Sequence, residues 1–274
     1  MQKLDILGRT IQFGDQVIKD YCSDITLGTI EQVVISLYRK VVELSNGVFI
    51  NADNGLKGPA MLCFRGGIEA YLSLEYILLE PKLIKQRAVA YYVGYRYLQR
   101  GAAKEGIKIV EQGNSHDGKD VQYFKDAIIE IDSELQKNIF NKTLKKWKKE
   151  LKEDKYLKWY SLHNGPGSVN QLARRIQKKK GQNDSELISR LYGQLSQLAH
   201  IYTALDAFYT SSNGSILKPI CFPEGESEIE SIIVPTSELL ISSTNSFIES
   251  LYPKYKSQFR EFIQTLEQIP LIEP

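Results

Sequence analysis

Residues 61–79 read MLCFRGGIEAYLSLEYILL, and almost every position in this stretch is apolar or small. With 3.6 residues per turn, its apolar side chains face all sides of a helix, which is typical of a helix buried at the centre of a protein. Three charged residues, Arg65, Glu69 and Glu75, interrupt the stretch. An unpaired buried charge costs several kcal/mol, so these charges have to be paired or to line a polar cavity.

The segments on either side of this stretch also repeat apolar residues at helical spacing. We predict helices over residues 29–50, 59–79 and 81–103. The Asn- and Gly-rich residues 51–59 predict a break, and Pro59 suits the first turn of the central helix. Residues 106–119 predict a loop.

The rest of the chain continues the helical pattern. Further helices are predicted over residues 121–155, 168–180, 184–209, 235–252 and 257–268. Two short β-like runs around a polar turn at residues 216–234 fit either a small hairpin or extended chain. The weakly periodic residues 1–28 are interpreted as an N-terminal arm, either a short helix or irregular. The predicted fold class is mainly α, a single-domain helical bundle over residues 29–274 with one small β-hairpin as an option.

Composition narrows the class of protein. A chain of 274 residues with 42% hydrophobic content can bury a sizeable core, which argues against a disordered protein. The opening residues are polar and mixed in charge, and no long uncharged apolar run follows, so we expect neither a signal peptide nor a membrane helix. The three cysteines are isolated from one another, which suits a reducing compartment. We therefore expect a cytoplasmic protein.

Charge is distributed unevenly along the chain. Residues 137–180 hold fourteen Lys and Arg against three acids, whereas residues 181–274 hold five against twelve. A basic segment interleaved with aromatic residues suits phosphate contact and base stacking. The same spacing also fits a helix with solvated lysines and Trp147 facing the core, and both interpretations stay open. The candidate nucleic-acid-binding residues are Lys145, Lys146, Lys148, Lys149, Arg174 and Arg175.

The charges of the central stretch allow two interpretations. Glu69 follows Arg65 by four residues, so the two side chains are neighbours on one helix face. They either form a structural pair that fixes packing, or Arg65 lies in an internal polar pocket and binds an anion such as phosphate.

A second pair, Ser196 and His200, has the same spacing on a later helix, at the margin of its apolar stripe. A histidine there is either a structural residue or a general acid–base catalyst, since its pKa lies near neutrality. In the catalytic hypothesis Arg65 stabilises an anionic transition state, Glu69 orients either Arg65 or His200, and Ser196 is a hydrogen-bond partner. His116 and His163 lie in polar loops and are interpreted as solvated.

Several of these stretches, taken together, resemble a bacterial helical family of unknown function. The stretches are FRGGIEAYLSLEYIL (64–78), KWYSLHNGPGSVNQLARRI (158–176) and LYGQLSQLAH (191–200), within a family-like core of about residues 30–210. The matching residues are Arg65, Glu69, Trp159, Leu172, Ala173, Tyr192, Ser196 and His200. The family is similar in style to the HEPN helical nucleases and toxins, and the resemblance implies that related genes lie near defence or mobile loci. This chain lacks their Arg-x(4–6)-His motif. The catalytic hypothesis therefore requires Arg65 and His200, from different helices, to meet across the bundle.

Two functions follow as hypotheses. The first is a helical effector or toxin of phage defence, directed at RNA; if it is an enzyme, it is a metal-independent HEPN-like ribonuclease. The second is a non-catalytic helical interaction module whose buried ion pairs are structural. We expect no cofactor and no metal, because the chain has no P-loop, no Gly-x-Gly-x-x-Gly and no metal-ligand spacing. Expected partners are RNA or another nucleic acid, a second copy of the chain, or a partner protein of a defence locus.

Overall fold

The computed structural model describes residues 2–114, 118–150, 158–181, 187–199, 208–211, 214–217 and 227–268. Helices dominate these residues, which confirms the mainly α prediction. The helices are α1 Gln2–Asp24, α2 Thr29–Asp53, α3 Lys57–Leu78, α4 Ile84–Glu111, α5 Val121–Leu135, α6 Asn141–Glu150, α7 Val169–Lys179, α8 Leu187–Ala199, α9 Ser227–Leu251 and α10 Lys256–Glu267. Two strands, β1 Phe208–Ser211 and β2 Gly214–Leu217, form an antiparallel hairpin in which Phe208 is opposite Leu217.

The chain divides into two compact units. Unit 1 comprises Met1–Pro81 and Val169–Pro274, and unit 2 comprises Lys82–Ser168. Unit 2 is therefore an insertion between α3 and α7 in the order of the chain.

Helix α3 is the central helix of unit 1, as the all-round apolar pattern of residues 61–79 predicts. It packs against α2, α7, α8 and α9. Ile68, Leu72, Leu74 and Ile77 are almost completely buried. Gly55, with φ of +68°, adopts the left-handed conformation that turns the chain from α2 into α3.

The aromatic residues of α2 and α9 extend this core. Tyr38 stacks on Phe247 with ring centroids 4.8 Å apart, and its hydroxyl is 2.8 Å from that of Thr244. Both Tyr38 and Phe247 are fully buried. The hydrogen bond satisfies a phenol that would otherwise lose its water without compensation.

The N-terminal residues form a packed helix and not an irregular arm. Helix α1 is 23 residues long and contacts α2 and α9. Leu7, Val17 and Tyr21 are at most 1% exposed. Their spacing of ten and four residues places them on one helix face, and burial of that face stabilises the helix despite its weak overall periodicity.

Unit 2 is built around α4, which packs against both α5 and α6. Its core consists of Val89, Ala90, Val93, Ile131, Leu135, Phe140, Trp147 and Leu162. Arg100 binds Asp132 through two hydrogen bonds of 2.8 and 3.0 Å, and Tyr92 donates to Glu134 at 2.6 Å. These contacts tie α4 to α5.

Two predicted boundaries in unit 2 are wrong. Helix α4 continues to Glu111, beyond the predicted end at residue 103, because Gly106 allows the ring of Phe124 to approach the backbone and does not end the helix. The predicted single helix over residues 121–155 is broken, since a 3₁₀ turn at Asn138–Phe140 separates α5 from α6. The turn directs Phe140 into the core, where it stacks on Tyr92.

Two further boundaries differ near the C-terminus. The described hairpin lies at residues 208–217, and residues 227–234 of the predicted hairpin are helical, while residues 218–226 lie outside the described residues. Helix α9 begins at Ser227, so Pro235 lies inside it and not at its start. Burial of Ile229, Ile232 and Ile233 outweighs the hydrogen bond that a proline removes from a helix.

No helix in the described parts of the chain is long and apolar enough to cross a membrane.

Candidate functional site

Arg65 and Glu69 of α3 form a partly exposed polar cluster with Tyr192 of α8. Arg65 Nη2 lies 3.3 Å from Glu69 Oε1. The Tyr192 hydroxyl donates to the same carboxylate oxygen at 2.9 Å and accepts from Arg65 Nη2 at 3.5 Å. The guanidinium also lies over the Tyr192 ring, 5.4 Å from its centroid. The Arg65–Glu69 pair was one of the two interpretations that the sequence left open, and the structure adds Tyr192 as its third member.

The electrostatics of this cluster favour a structural role. Burial raises the pKa of Tyr192, and the nearby Glu69 carboxylate raises it further, while Arg65 acts in the opposite direction. Tyr192 therefore stays protonated and donates its hydrogen bond. The charge of Arg65 is compensated by Glu69, so the cluster offers a substrate anion no uncompensated cation. Arg65 Nε is buried without a partner among the described residues.

The most deeply buried charge of α3 is Glu75, whose side chain is 1% exposed. Lys180, at the end of α7, places its Nζ 2.7 Å from Glu75 Oε2. Ser246 of α9 donates to the same oxygen at 3.1 Å, and Lys180 also donates to the hydroxyls of Ser242 and Ser246 at 3.2 and 3.3 Å. This cluster joins three helices of unit 1 around one carboxylate.

Sequence reasoning left Glu75 out of the site and placed Lys180 only in a basic segment. A signal existed, because Glu75 follows Tyr71 by four residues and Ile68 by seven and so lies on the most apolar face of α3. Burial raises the pKa of Glu75, opposed by Lys180 and Ser246. Desolvation thus outweighs the attraction of the lysine.

The other predicted residues of unit 1 have varied positions. Ser196 is half-buried on α8, one turn after Tyr192, and His200 lies outside the described residues. Their pairing, and the meeting of Arg65 with His200, stay predictions. Arg174 and Arg175 are exposed on α7, and the Arg175 guanidinium lies 5.8 Å from the centroid of the Tyr76 ring. Leu172 and Ala173 on the same helix are core residues.

The lysine-rich helix α6 of unit 2 is anchored by Trp147. This side chain is 4% exposed and packs against Gly94 and Tyr97 of α4. Of the two roles open to Trp147, the structure therefore shows core packing. Trp159 is half-buried with its ring against Tyr91. These two indoles are engaged inside unit 2, and neither forms an exposed platform for bases.

The opposite face of α6 lines an open depression of about 740 Å³. Four lysines, one glutamate and the two residues of a tight turn surround it. The lining residues are Lys142, Lys145, Lys146, Lys149, Glu150, His163 and Asn164. We call this feature the lysine depression. Lys146 and Glu150 form an ion pair of 3.5 Å. The other three lysines have no acidic partner in the described lining, which therefore carries an excess of positive charge.

The turn that closes the lysine depression has an unusual backbone. His163 and Asn164 both have φ of +60°, the left-handed region that non-glycine residues rarely adopt. Leu162 before the turn is 3% exposed, and the Gly165 amide donates to the carbonyls of Ser161 and Leu162. The turn is thus held at both ends, and such strain accumulates at functional sites.

His163 differs from the solvated loop histidine that the sequence predicted. It is half-buried, and its Nε2 is buried without a partner in the part of the chain that is described. Burial and the charges of Lys146 and Lys142 lower the pKa of His163, while Glu150 acts in the opposite direction. The imidazole is therefore neutral near pH 7.

The predicted basic residues of α6 fall into two groups, those that line the depression and those that lie outside it. Lys145, Lys146 and Lys149 line the depression, whereas Lys148 is exposed on α6 outside it. Lys142 and His163 were missed. Lys142 was detectable, because positions 142, 145, 146 and 149 follow the i, i+3, i+4, i+7 pattern of one helix face. No three His, Cys, Asp or Glu side chains come together as metal ligands within the described ranges.

The sequence comparison extends over most of this fold. A family model described as a family of unknown function, DUF5677, matches residues 31–216. The chain belongs to DUF5677. The DUF5677 segment runs from α2 to the hairpin and includes Arg65, Tyr192, Glu75 and the lysine depression. Helix α9, which supplies Ser246, lies beyond it. No curated protein and no solved structure matches the chain.

Proposed function

We propose that this protein is an RNA-directed helical effector that binds the RNA backbone through the lysine depression. The observation that carries the proposal is the stripe of four lysines around one open depression. Lysines presented together on a fixed face suit phosphate groups, because neutralising each phosphate releases condensed counterions. Trp147 beneath them holds the stripe in place.

The character of the binding follows from the lining. Phosphate contacts carry no sequence information by themselves, so binding is expected to be independent of sequence and steeply dependent on salt. Trp147 is engaged in the core and does not stack on bases, in contrast to single-strand binders that rely on aromatic platforms. Electrostatics is therefore the main source of affinity.

The effector part of the proposal rests on the family resemblance in the sequence, because that family is similar in style to the HEPN helical toxins, although this chain lacks their Arg-x(4–6)-His motif. The proposal assigns RNA contact to α6. Arg65 and Glu69 of α3 pair with each other and with Tyr192. A metal-independent ribonuclease remains the enzymatic form of the proposal. Its predicted residues are Arg65, Glu69, Ser196 and His200.

The direct test is fluorescence anisotropy with a short single-stranded RNA at low salt. Lys145→Gln/Lys149→Gln removes two lining lysines and should weaken binding at least tenfold. The matched control, Lys148→Gln/Lys179→Gln, removes two exposed lysines that do not line the depression and should bind like wild type. Equal losses in both double variants, or tighter binding of single-stranded DNA than of RNA, would contradict the proposal.

A second candidate function, a non-catalytic helical interaction module, is favoured by the buried Glu75–Lys180 pair. This pair and the Arg65–Glu69–Tyr192 cluster both join helices of unit 1, as structural ion pairs do. The growth of cells that express the protein distinguishes the two candidate functions. Growth arrest by wild type that Arg65→Ala and His200→Ala abolish without lowering the melting temperature supports a catalytic effector. Loss of folding in both variants supports the structural module.

A further inference from the structure

We propose that His163 is a phosphate-binding residue of the lysine depression and binds RNA in its protonated form, so that RNA binding takes up one proton. This inference rests on the proposed function, because it concerns the same depression. It identifies the one residue there that changes charge near neutral pH, and it names the ligand group as a phosphate of the RNA backbone.

The position of His163 is the first argument. It lies in a turn whose left-handed backbone is fixed by buried Leu162 and by hydrogen bonds to Gly165. The turn brings the imidazole to the rim formed by α6. A histidine with only a solvated role does not need a fixed left-handed backbone, whereas a histidine that binds a ligand together with four lysines does.

The charges around His163 are the second argument. Lys142, Lys145, Lys146 and Lys149 of α6 face the depression, together with Glu150. In the free protein burial disfavours a positive charge on the imidazole, Lys146 and Lys142 add to this effect, and Glu150 opposes it. A bound phosphate places a negative charge beside the imidazole and compensates the two lysines, which favours the protonated form. The imidazolium then becomes a second type of donor, capable of a charge-assisted hydrogen bond to phosphate oxygen.

The consequence is a linkage between pH and affinity. Since RNA favours the protonated imidazole, protons must favour RNA binding to the same extent. Affinity should rise as pH falls, by up to about tenfold per pH unit for one proton. The effect is confined to the window between the pKa of His163 in the free protein and its pKa in the complex.

The test measures binding of a fluorescent oligouridylate to the full chain between about pH 5.5 and 8, at constant salt. Uracil and phosphodiester groups do not titrate in this range, so any dependence belongs to the protein. His163→Asn is the informative variant, because asparagine tolerates the left-handed backbone and does not titrate. Wild type should bind more tightly as pH falls, and His163→Asn should show a flat profile with weaker binding at low pH.

Nuclear magnetic resonance of the imidazoles gives an independent readout. The chain has three histidines, so the His163 signal is identified by its absence from His163→Asn. Saturating oligouridylate should raise the pKa of His163. RNA binding with no pH dependence, or with the same dependence in His163→Asn, would overturn the inference and leave the proposed function intact. A wild type that binds no oligouridylate at low salt would overturn both.

Discussion

Glu75 is the most deeply buried charged residue of α3, and it contacts side chains from two other segments of unit 1. A carboxylate that is 1% exposed, in a helix surrounded by apolar neighbours, requires compensation. Lys180 and Ser246 provide it from two other helices. These contacts therefore specify how α7 and α9 dock on α3, and removal of the Glu75 carboxylate leaves the partly exposed Lys180 without its ion-pair partner.

Replacement of Glu75 tests this account. Glu75→Ala leaves Lys180 without its carboxylate and creates a cavity, so we expect a loss of about 3 kcal/mol in the free energy of unfolding. Glu75→Gln keeps the shape and a polar contact to Ser246 and should cost clearly less. Urea denaturation of both variants measures the difference. Equal costs would show that the side-chain volume and contacts matter little.

The contribution of Glu75 to the stability of the protein should depend on pH, and the direction of its pKa shift gives the sign of that dependence. Burial raises the pKa of Glu75 in the folded protein above its value in the unfolded chain. Between these two values the folded state binds more protons, so the contribution of Glu75 to stability decreases as pH rises through this window. The stability of wild type relative to Glu75→Gln should therefore fall from about pH 4 toward neutrality. A relative stability that rises with pH would mean that attraction by Lys180 outweighs desolvation.

Tyr192→Phe tests whether the Arg65 cluster is structural. The variant loses the hydroxyl that bonds Glu69 and Arg65 but keeps a ring beneath the guanidinium. We expect a loss of about 1 kcal/mol in stability and unchanged RNA affinity. Thermal melting and anisotropy measure the two quantities. Lost affinity with unchanged stability would move the functional site from α6 to this cluster.

The sequence allowed part of this residue-scale description. The four-residue spacing of Arg65 and Glu69 placed them on one helix face and made their pairing one of two interpretations. Tyr192 and Lys180 are more than a hundred residues away from their partners on α3. Such contacts depend on how helices dock, which periodicity does not report.

At the scale of helices, glycine has opposite roles along α4. A Cβ at Gly101 would meet nothing within 4 Å, whereas one at Gly106 would lie 2.6 Å from the Phe124 ring. Gly101→Ala should stabilise the protein by up to about 1 kcal/mol, because alanine is the better helix former. Gly106→Ala should destabilise it, because the buried ring has to move. Thermal melting of the two variants tests both predictions. Stabilisation of the protein by both substitutions would contradict the packing of α5 against α4 at Gly106.

The same contrast explains which helices were predictable. Long apolar patterns such as those of α2 and α3 identified helices correctly, since burial and periodicity agree there. Gly106 and Pro235 were read as boundaries from local propensity, yet both lie inside helices whose tertiary packing outweighs that propensity. The hairpin was misplaced because short apolar runs carry little information on register.

At the scale of the whole molecule, the two candidate sites lie in different units of the chain. Unit 1 contains the ion pairs of α3, and unit 2 contains the lysine depression. The sequence showed the excess of basic residues over 137–180 but could not separate them, because Arg174 and Arg175 belong to unit 1 and the α6 lysines to unit 2. The candidate interface was thus half predictable, with its lysines visible and His163 hidden in a loop.

The salt dependence of RNA binding tests the central claim most directly. The logarithm of the affinity of wild type should fall linearly with the logarithm of salt concentration. In Lys145→Gln/Lys149→Gln the slope should become shallower by about 1.4, that is about 0.7 for each lost phosphate contact with a single strand. Lys148→Gln/Lys179→Gln should keep the slope of wild type. Identical slopes in all three proteins would contradict the assignment of RNA binding to the lysine depression.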